Sequence, residues 1–311
     1  MKNILYIFLI SACLPLKVLA QQLPDRSPFG ETSFVWNPAM TAVWDYWELG
    51  ATFRQQWVGF NDAPQSTTVS IQYPFNKYNN SLGGYFMHDA VRPIQSNVFA
   101  LTYAYKLEPQ WKRGDQLSLG LLVNVTHVFV DGLDVVVNDP DDDLLPSGEN
   151  NKVSPNAGVG VFYTTNARRP YEKNSVFAGL GINQLIPINL AFTLSNSDAN
   201  LKRVIHANAL FGTRIIKENI MIEPSIWVNY SAVNILNGNL SVIIEKHDAF
   251  WAGVSYNTNQ TLAIQLGTVF SKGLAKDGSI RAGVLGSYNI GTFGPARGLG
   301  YECYVAYRFT E

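Results

Sequence analysis

The stretch TLAIQLGTVF, residues 261–270, puts Leu262, Ile264, Leu266, Thr268 and Phe270 on one side and Thr261, Ala263, Gln265, Gly267 and Val269 on the other. Successive side chains of a strand point to opposite faces. A period of two with one apolar side therefore marks a strand that meets an apolar medium on one face only. The pattern recurs along the chain. In 116–129, Leu117, Leu119, Leu121, Val123 and Val125 oppose Gln116, Ser118, Gly120, Asn124 and Thr126. In 220–230, Ile220, Ile222, Ile226, Val228 and Tyr230 oppose Glu223, Ser225 and Asn229. In 280–290, Ile280, Ala282, Val284, Tyr288 and Ile290 oppose Arg281, Gly283, Ser287 and Asn289. The chain end alternates too: Tyr301, Cys303, Val305, Tyr307 and Phe309 against Glu302, Tyr304, Ala306 and Arg308.

The apolar medium is either a second sheet or lipid. The chain has 311 residues, 47% hydrophobic and 15% charged, where a soluble domain carries about 25% charged. After the first twenty residues no run is apolar for the roughly 18 residues that a spanning helix needs. Aromatics make up 13%. Low charge, many aromatics and apolar residues spread over alternate positions point to a membrane β-barrel; a soluble β-sandwich is the plainer competitor. The positions of the charges favour the barrel. Arg54, Glu223, Arg281 and Arg308 lie mid-segment on the polar or small face. On the lipid side each would cost about 2–4 kcal/mol near the midplane, so they should face a wet interior.

The predicted fold is all-β: a transmembrane antiparallel barrel of about fourteen strands, an even count as single-chain bacterial barrels have. The predicted strands are 45–57, 65–75, 81–89, 95–106, 116–130, 154–164, 175–185, 202–215, 219–231, 239–246, 249–257, 260–271, 279–290 and 299–309. The short connections at 217–219, 247–248 and 257–259 read as periplasmic turns. The longer ones at 131–153, 166–174 and 186–200 read as outer loops. An even count puts both chain ends on the periplasmic side.

Residues 1–20 read as a cleaved signal peptide that directs export to the outer membrane. Lys2 supplies the positive end, Ile4 to Leu16 the apolar core, and Val18-Leu19-Ala20 the small-residue cleavage site. Ile10-Ser11-Ala12-Cys13 also fits a lipoprotein box, which would leave Cys13 lipidated. Residues 21–43 form a short irregular lead, periplasmic or lumenal, whose Pro24, Pro28 and Pro38 would keep it extended. Residues 44–311 form the barrel.

Several segments resemble the PorP/SprF family of outer-membrane proteins, which accompany type IX secretion and gliding motility in Bacteroidota. They are Asn37-Pro38-Ala39 ahead of the first strand, Phe53-Arg54-Gln55-Gln56-Trp57-Val58-Gly59-Phe60, Leu82-Gly83-Gly84, Thr102-Tyr103-Ala104-Tyr105 and Gly179-Leu180-Gly181. The sequence departs from the family pattern after Ala39, where Met40-Thr41-Ala42-Val43 replaces a glycine-containing turn. The resemblance implies a non-enzymatic barrel that anchors a secreted surface protein or adhesin bearing a C-terminal secretion domain, or that helps assemble periplasmic components of the secretion and gliding complex. A solute-conducting porin or transporter is the alternative.

Individual residues add detail. Arg54 and Gln56 share a face, and with Glu223, Arg281 and Arg308 they are candidates to hold a lumenal plug or partner segment. Alternatively Arg54 forms an interior salt bridge, to Glu223 or Glu48. Trp44, Trp47, Trp227 and Trp251 suggest interfacial girdles rather than a carbohydrate platform, and Trp57 a belt residue. Asp131, Asp134, Asp139, Asp141, Asp142, Asp143 and Glu149 form an acidic loop, either solvated or calcium-binding. His88, His127, His206 and His247 show no metal-ligand spacing, and no catalytic constellation, phosphate loop or cofactor motif stands out. A net charge of −1 advertises no nucleic-acid surface.

Overall fold

The structure, a computed structural model, describes residues 30–44, 46–75, 79–109, 114–131, 149–167, 171–193, 198–231, 235–270, 278–291 and 298–309. The expected signal peptide, Cys13 and most of the acidic loop lie outside the described residues.

Alternating segments close into a ring. Its first half is β1 (Trp47–Gln55), β2 (Gln65–Phe75), β3 (Asn80–Val91), β4 (Ile94–Leu107), β5 (Gln116–Asp131), β6 (Glu149–Thr164) and β7 (Ser175–Asn183). Two short strands, β8 (Ile188–Thr193) and β9 (Asp198–Arg203), pair only with each other. The ring continues with β10 (His206–Lys217), β11 (Ile220–Ser231), β12 (Ile235–Lys246), β13 (Phe250–Asn257), β14 (Thr261–Phe270), β15 (Gly278–Asn289) and β16 (Leu299–Phe309). β16 pairs antiparallel with β1, from Trp47 opposite Phe309 to Gln55 opposite Tyr301. The result is a closed antiparallel barrel of fourteen strands. Closure matters physically, because an open strand edge in hydrocarbon would leave backbone donors and acceptors without partners.

The side-chain alternation survives intact. Leu262, Ile264 and Leu266 are exposed while Gln265 between them is buried. Leu121, Val123 and Val125 face out while Leu122 and Thr126 face in. At the rim where β1 begins and β16 ends, here the terminal rim, Trp47 stacks on Phe309 (5.2 Å) and touches Tyr73 (3.7 Å). Towards the opposite, loop rim, Phe53 meets Tyr301 (6.0 Å). An apolar outer band between aromatic edges is what a lipid bilayer selects.

Strand parity corrects two expectations, and the β8–β9 hairpin a third. Successive connections alternate between rims whatever their length. The turn at 257–259 therefore lies at the loop rim, not among the terminal-rim turns, and the connection 166–174 lies at the terminal rim, not among the outer loops. There Ala167 N–H donates to Gly114 O (2.8 Å), and Tyr171 packs on His247 (4.1 Å). The strand expected at 202–215 begins at His206, because residues 202–203 belong to the β8–β9 hairpin.

Candidate functional site

The most built-up feature is inside the ring. Pro24, Pro28 and Pro38 suggest an extended lead, and Pro24 and Pro28 lie outside the described residues, but residues 30–43 are not extended. They form two 3-10 turns, Gly30–Val35 and Pro38–Met40, inside the lumen. Local chemistry explains the second turn. Pro38 carries a φ already suited to a first helical position, and the Asn37 side chain caps the turn by accepting from Ala39 N–H (3.0 Å). Thr41 closes it, its hydroxyl donating to Pro38 O (2.7 Å). Pro38 starts a turn rather than enforcing extension.

The wall is cut to receive this plug. Inward glycines on β3, β5, β6 and β7 leave space for its backbone and side chains. A Cβ at Gly120 would overlap Ala39 N and Pro38 C, and one at Gly160 would overlap the Asn37 amide oxygen. A Cβ at Gly179 would lie 3.0 Å from Asn37 Nδ2, and one at Gly181 3.0 Å from Trp36 O. Glycine is required here for the close approach of one backbone to another. Polar groups then fix the register. Asn37 Nδ2 donates to Val161 O and Leu180 O (both 3.2 Å). Asn183 and Asn208 both donate to Trp36 O (2.8 Å each). Gln72 accepts from Ala42 N–H (2.8 Å), and Lys106 donates to Ala42 O (2.5 Å). Phe34, Val35, Trp36 and Ala39 complete a dry core with Tyr85, Leu122, Phe162, Phe177, Leu210 and Trp227. Across the lumen, Trp251, Leu285, Tyr304 and Ala306 form a second apolar cluster. Several inward glycines of the wall thus make room for chain.

Replacing Asn37 with alanine removes the cap and both carbonyl contacts. We expect a plug weakened by about 1–3 kcal/mol, read as faster proteolysis within 30–43 while the barrel keeps its heat-modifiable gel mobility.

Below the plug, at the terminal rim, lies a cavity of about 130 Å³. Three ion pairs line it. Arg214 Nε meets Glu223 Oε2 at 2.6 Å, and Arg308 Nε meets Glu48 Oε2 at 2.7 Å. Arg281 donates from both terminal nitrogens to Glu245 (2.8 and 3.0 Å). Each guanidinium also lies over an aromatic ring: Arg214 over Trp44 (4.7 Å), Arg281 over Trp251 (4.2 Å) and Arg308 over Tyr46 (4.6 Å). Such stacking suits the weakly hydrated, planar arginine cation. Gln72 joins cavity and plug, donating to Glu48 (3.2 Å) while accepting from Ala42.

Of the residues singled out from the sequence, Glu223, Arg281 and Arg308 share this cavity. Arg54 and Gln56 do not. Arg54 lies near the loop rim in register with Glu302, whereas Glu48 is engaged by Arg308 and Glu223 by Arg214. Gln56 follows β1, and its N–H donates to Pro64 O (3.0 Å), closing the turn. Trp44, Trp227 and Trp251 line the cavity rather than a girdle; of the four tryptophans grouped as girdle residues, only Trp47 stands on the outer wall. Trp57 sits in an exposed turn at positive φ beyond the strand. Asn37, Pro38 and Ala39 are the centre of the plug. Arg214, Glu245, Gln72, Asn183 and Asn208 were not anticipated. Their signal was present, as polar residues on the inward phase of their strands. Among the described residues, no group of three His, Cys, Asp or Glu could hold a metal.

Solved structures of similar fold include a hydrocarbon channel and a transporter. The chain is similar to a FadL homologue of Pseudomonas aeruginosa (11% identity, 90% of this chain and 94% of that one, TM-score 0.55). It is likewise similar to the CymD monoaromatic hydrocarbon channel (12%, 93% and 95%, 0.52) and to the toluene transporter TodX of Pseudomonas putida (10%, 91% and 94%, 0.52). At these identities the likeness extends to the fold alone. No curated protein matches the chain in sequence. The family model for the type IX secretion system membrane protein PorP/SprF matches residues 18–307, and the chain belongs to that family.

Proposed function

We propose that this protein is an anchoring subunit of the outer membrane, a closed barrel that holds a type IX-secreted surface protein, or the periplasmic parts of the secretion and gliding machinery, without enzymatic activity. The terminal rim faces the periplasm in this reading, and residues 1–20 are removed on export. The observation that carries it is the plug. It is fitted against glycines of four wall strands and held by side chains of several more. Chain seated this closely in the lumen is at odds with an open, water-filled porin; transporters with a plugged lumen exist, and the co-purifying partner separates them from an anchor. The ion pairs and aromatic stacks below hold the periplasmic mouth in one shape, as a docking surface requires.

The test is a pull-down of tagged protein from solubilised outer membranes, paired with planar-bilayer recording of the pure protein. The anchor reading expects a stoichiometric secreted protein bearing a C-terminal secretion domain, or a periplasmic complex component, and no stable open steps. Stable conductance without any co-purifying protein would instead establish the solute channel.

A further inference from the structure

The outer wall changes chemistry over four neighbouring strands. Thr67 on β2 is in register with His88 on β3, His88 with Asn97 on β4, and Asn97 with His127 on β5. The alternation points all four outward, because Met87, Val98 and Val128 between them pack into the lumen. One step towards the terminal rim on the same face stand Val69, Phe86, Phe99 and Val125, with the Phe86 and Phe99 rings 4.7 Å apart. The row ends in Phe53 on β1 and Val153 on β6. Four half-buried polar residues thus cap the apolar band over a third of the circumference, on its loop-rim side.

Hydrogen-bonding groups facing hydrocarbon without partners cost several kcal/mol each. A row of them makes sense only where the surrounding layer offers acceptors. His88 Nδ1 and Asn97 Oδ1 are 2.8 Å apart. That contact makes His88 Nδ1 the donor to the Asn97 amide oxygen and leaves the Asn97 NH₂ group for a ligand; the second His88 ring nitrogen is a donor in the imidazolium form. His127, two strands from His88 and so about 10 Å away, brackets Asn97 on the other side. No carboxylate belongs to the row. With the two imidazoles as cations, the chemistry is that of donors arranged for an anion with several oxygens, set where the wall passes from acyl chains to headgroups.

We propose that Thr67, His88, Asn97 and His127 form a site on the outer wall for the phosphorylated headgroup of a lipid in the leaflet at the loop rim. The proposal rests on the barrel and its band, not on the anchoring role, so the pull-down and this test fail separately. The experiment is native mass spectrometry of the full chain in neutral detergent with phosphatidic acid, diacylglycerol of the same chains, or inorganic phosphate. The expected result is about tenfold tighter binding of phosphatidic acid than of diacylglycerol, the worth of one charge-assisted hydrogen bond, with no binding of inorganic phosphate at the same concentration. His88→Leu with His127→Leu should abolish that preference while gel mobility stays that of a folded barrel. Asn97→Val is a milder second variant that should weaken it severalfold. Equal binding of the two lipids, equal binding of inorganic phosphate, or a preference that persists in both variants would overturn the site.

Discussion

Gly120→Val is expected to expel the plug. The valine Cβ would occupy the positions of Ala39 N and Pro38 C, which are backbone atoms and cannot rotate aside. The plug backbone here is pinned on both sides, by Asn37 on the β6 and β7 carbonyls and by Thr41 on Thr102 (2.9 Å). Overpacking a fitted interior costs about 1–3 kcal/mol or more. At the upper end that figure corresponds to a roughly 100-fold loss of plug occupancy. The measurement is thiol labelling at Ala39→Cys, a position 1% exposed in the native barrel. Labelling should accelerate by about that factor in the Gly120→Val background, and bilayer conductance should rise if the plug is what closes the lumen. Gly286→Val is the control. Nothing lies within 4 Å of a Cβ there, so the barrel should tolerate it. Unchanged labelling with Gly120→Val would mean that the cradle does not hold the plug.

Arg281→Ala is expected to be the most destabilising change in the wall. Arg281 and Glu245 are 6% and 4% exposed and share two hydrogen bonds. Removing one partner leaves a buried, uncompensated charge, which costs about 3–5 kcal/mol. It also empties the face of Trp251. For a barrel of this size that should lower the midpoint of heat-modifiable mobility by on the order of 10 °C. Replacing both partners, Arg281→Met with Glu245→Leu, should recover most of the loss, since an apolar pair of similar volume avoids desolvating two charges. If the double variant were as unstable as the single one, the pair would be doing more than balancing charge, and a role in docking would gain weight.

The asymmetry between these two sites reflects how each could be read. Arg281 stood out in the sequence because a charge on an alternating strand has only one tolerable direction to point. Its pairing with Glu245 was not legible, because the two lie 36 positions apart and only strand order brings them together. The same holds for Arg54. Alternation places it inward, but nothing local says that β16 rather than β11 supplies the neighbour. The glycines were legible as inward and small, but the sequence left open whether residues 21–43 lie in the lumen or in the periplasm. Only the return of residues 30–43 into the ring shows those glycines to be a fitted surface.

Alternation, sparse charge and aromatic placement were by themselves enough to determine a membrane barrel and, to within a few residues, most of its strands. These are local properties, set by the two-residue repeat of a strand and by the dielectric contrast between its two faces. Which carboxylate meets which arginine, and the filling of the lumen by residues 30–43, were decided only by the tertiary structure. Ring closure and the return of the chain through its own interior join positions more than a hundred residues apart, and no local periodicity carries that information.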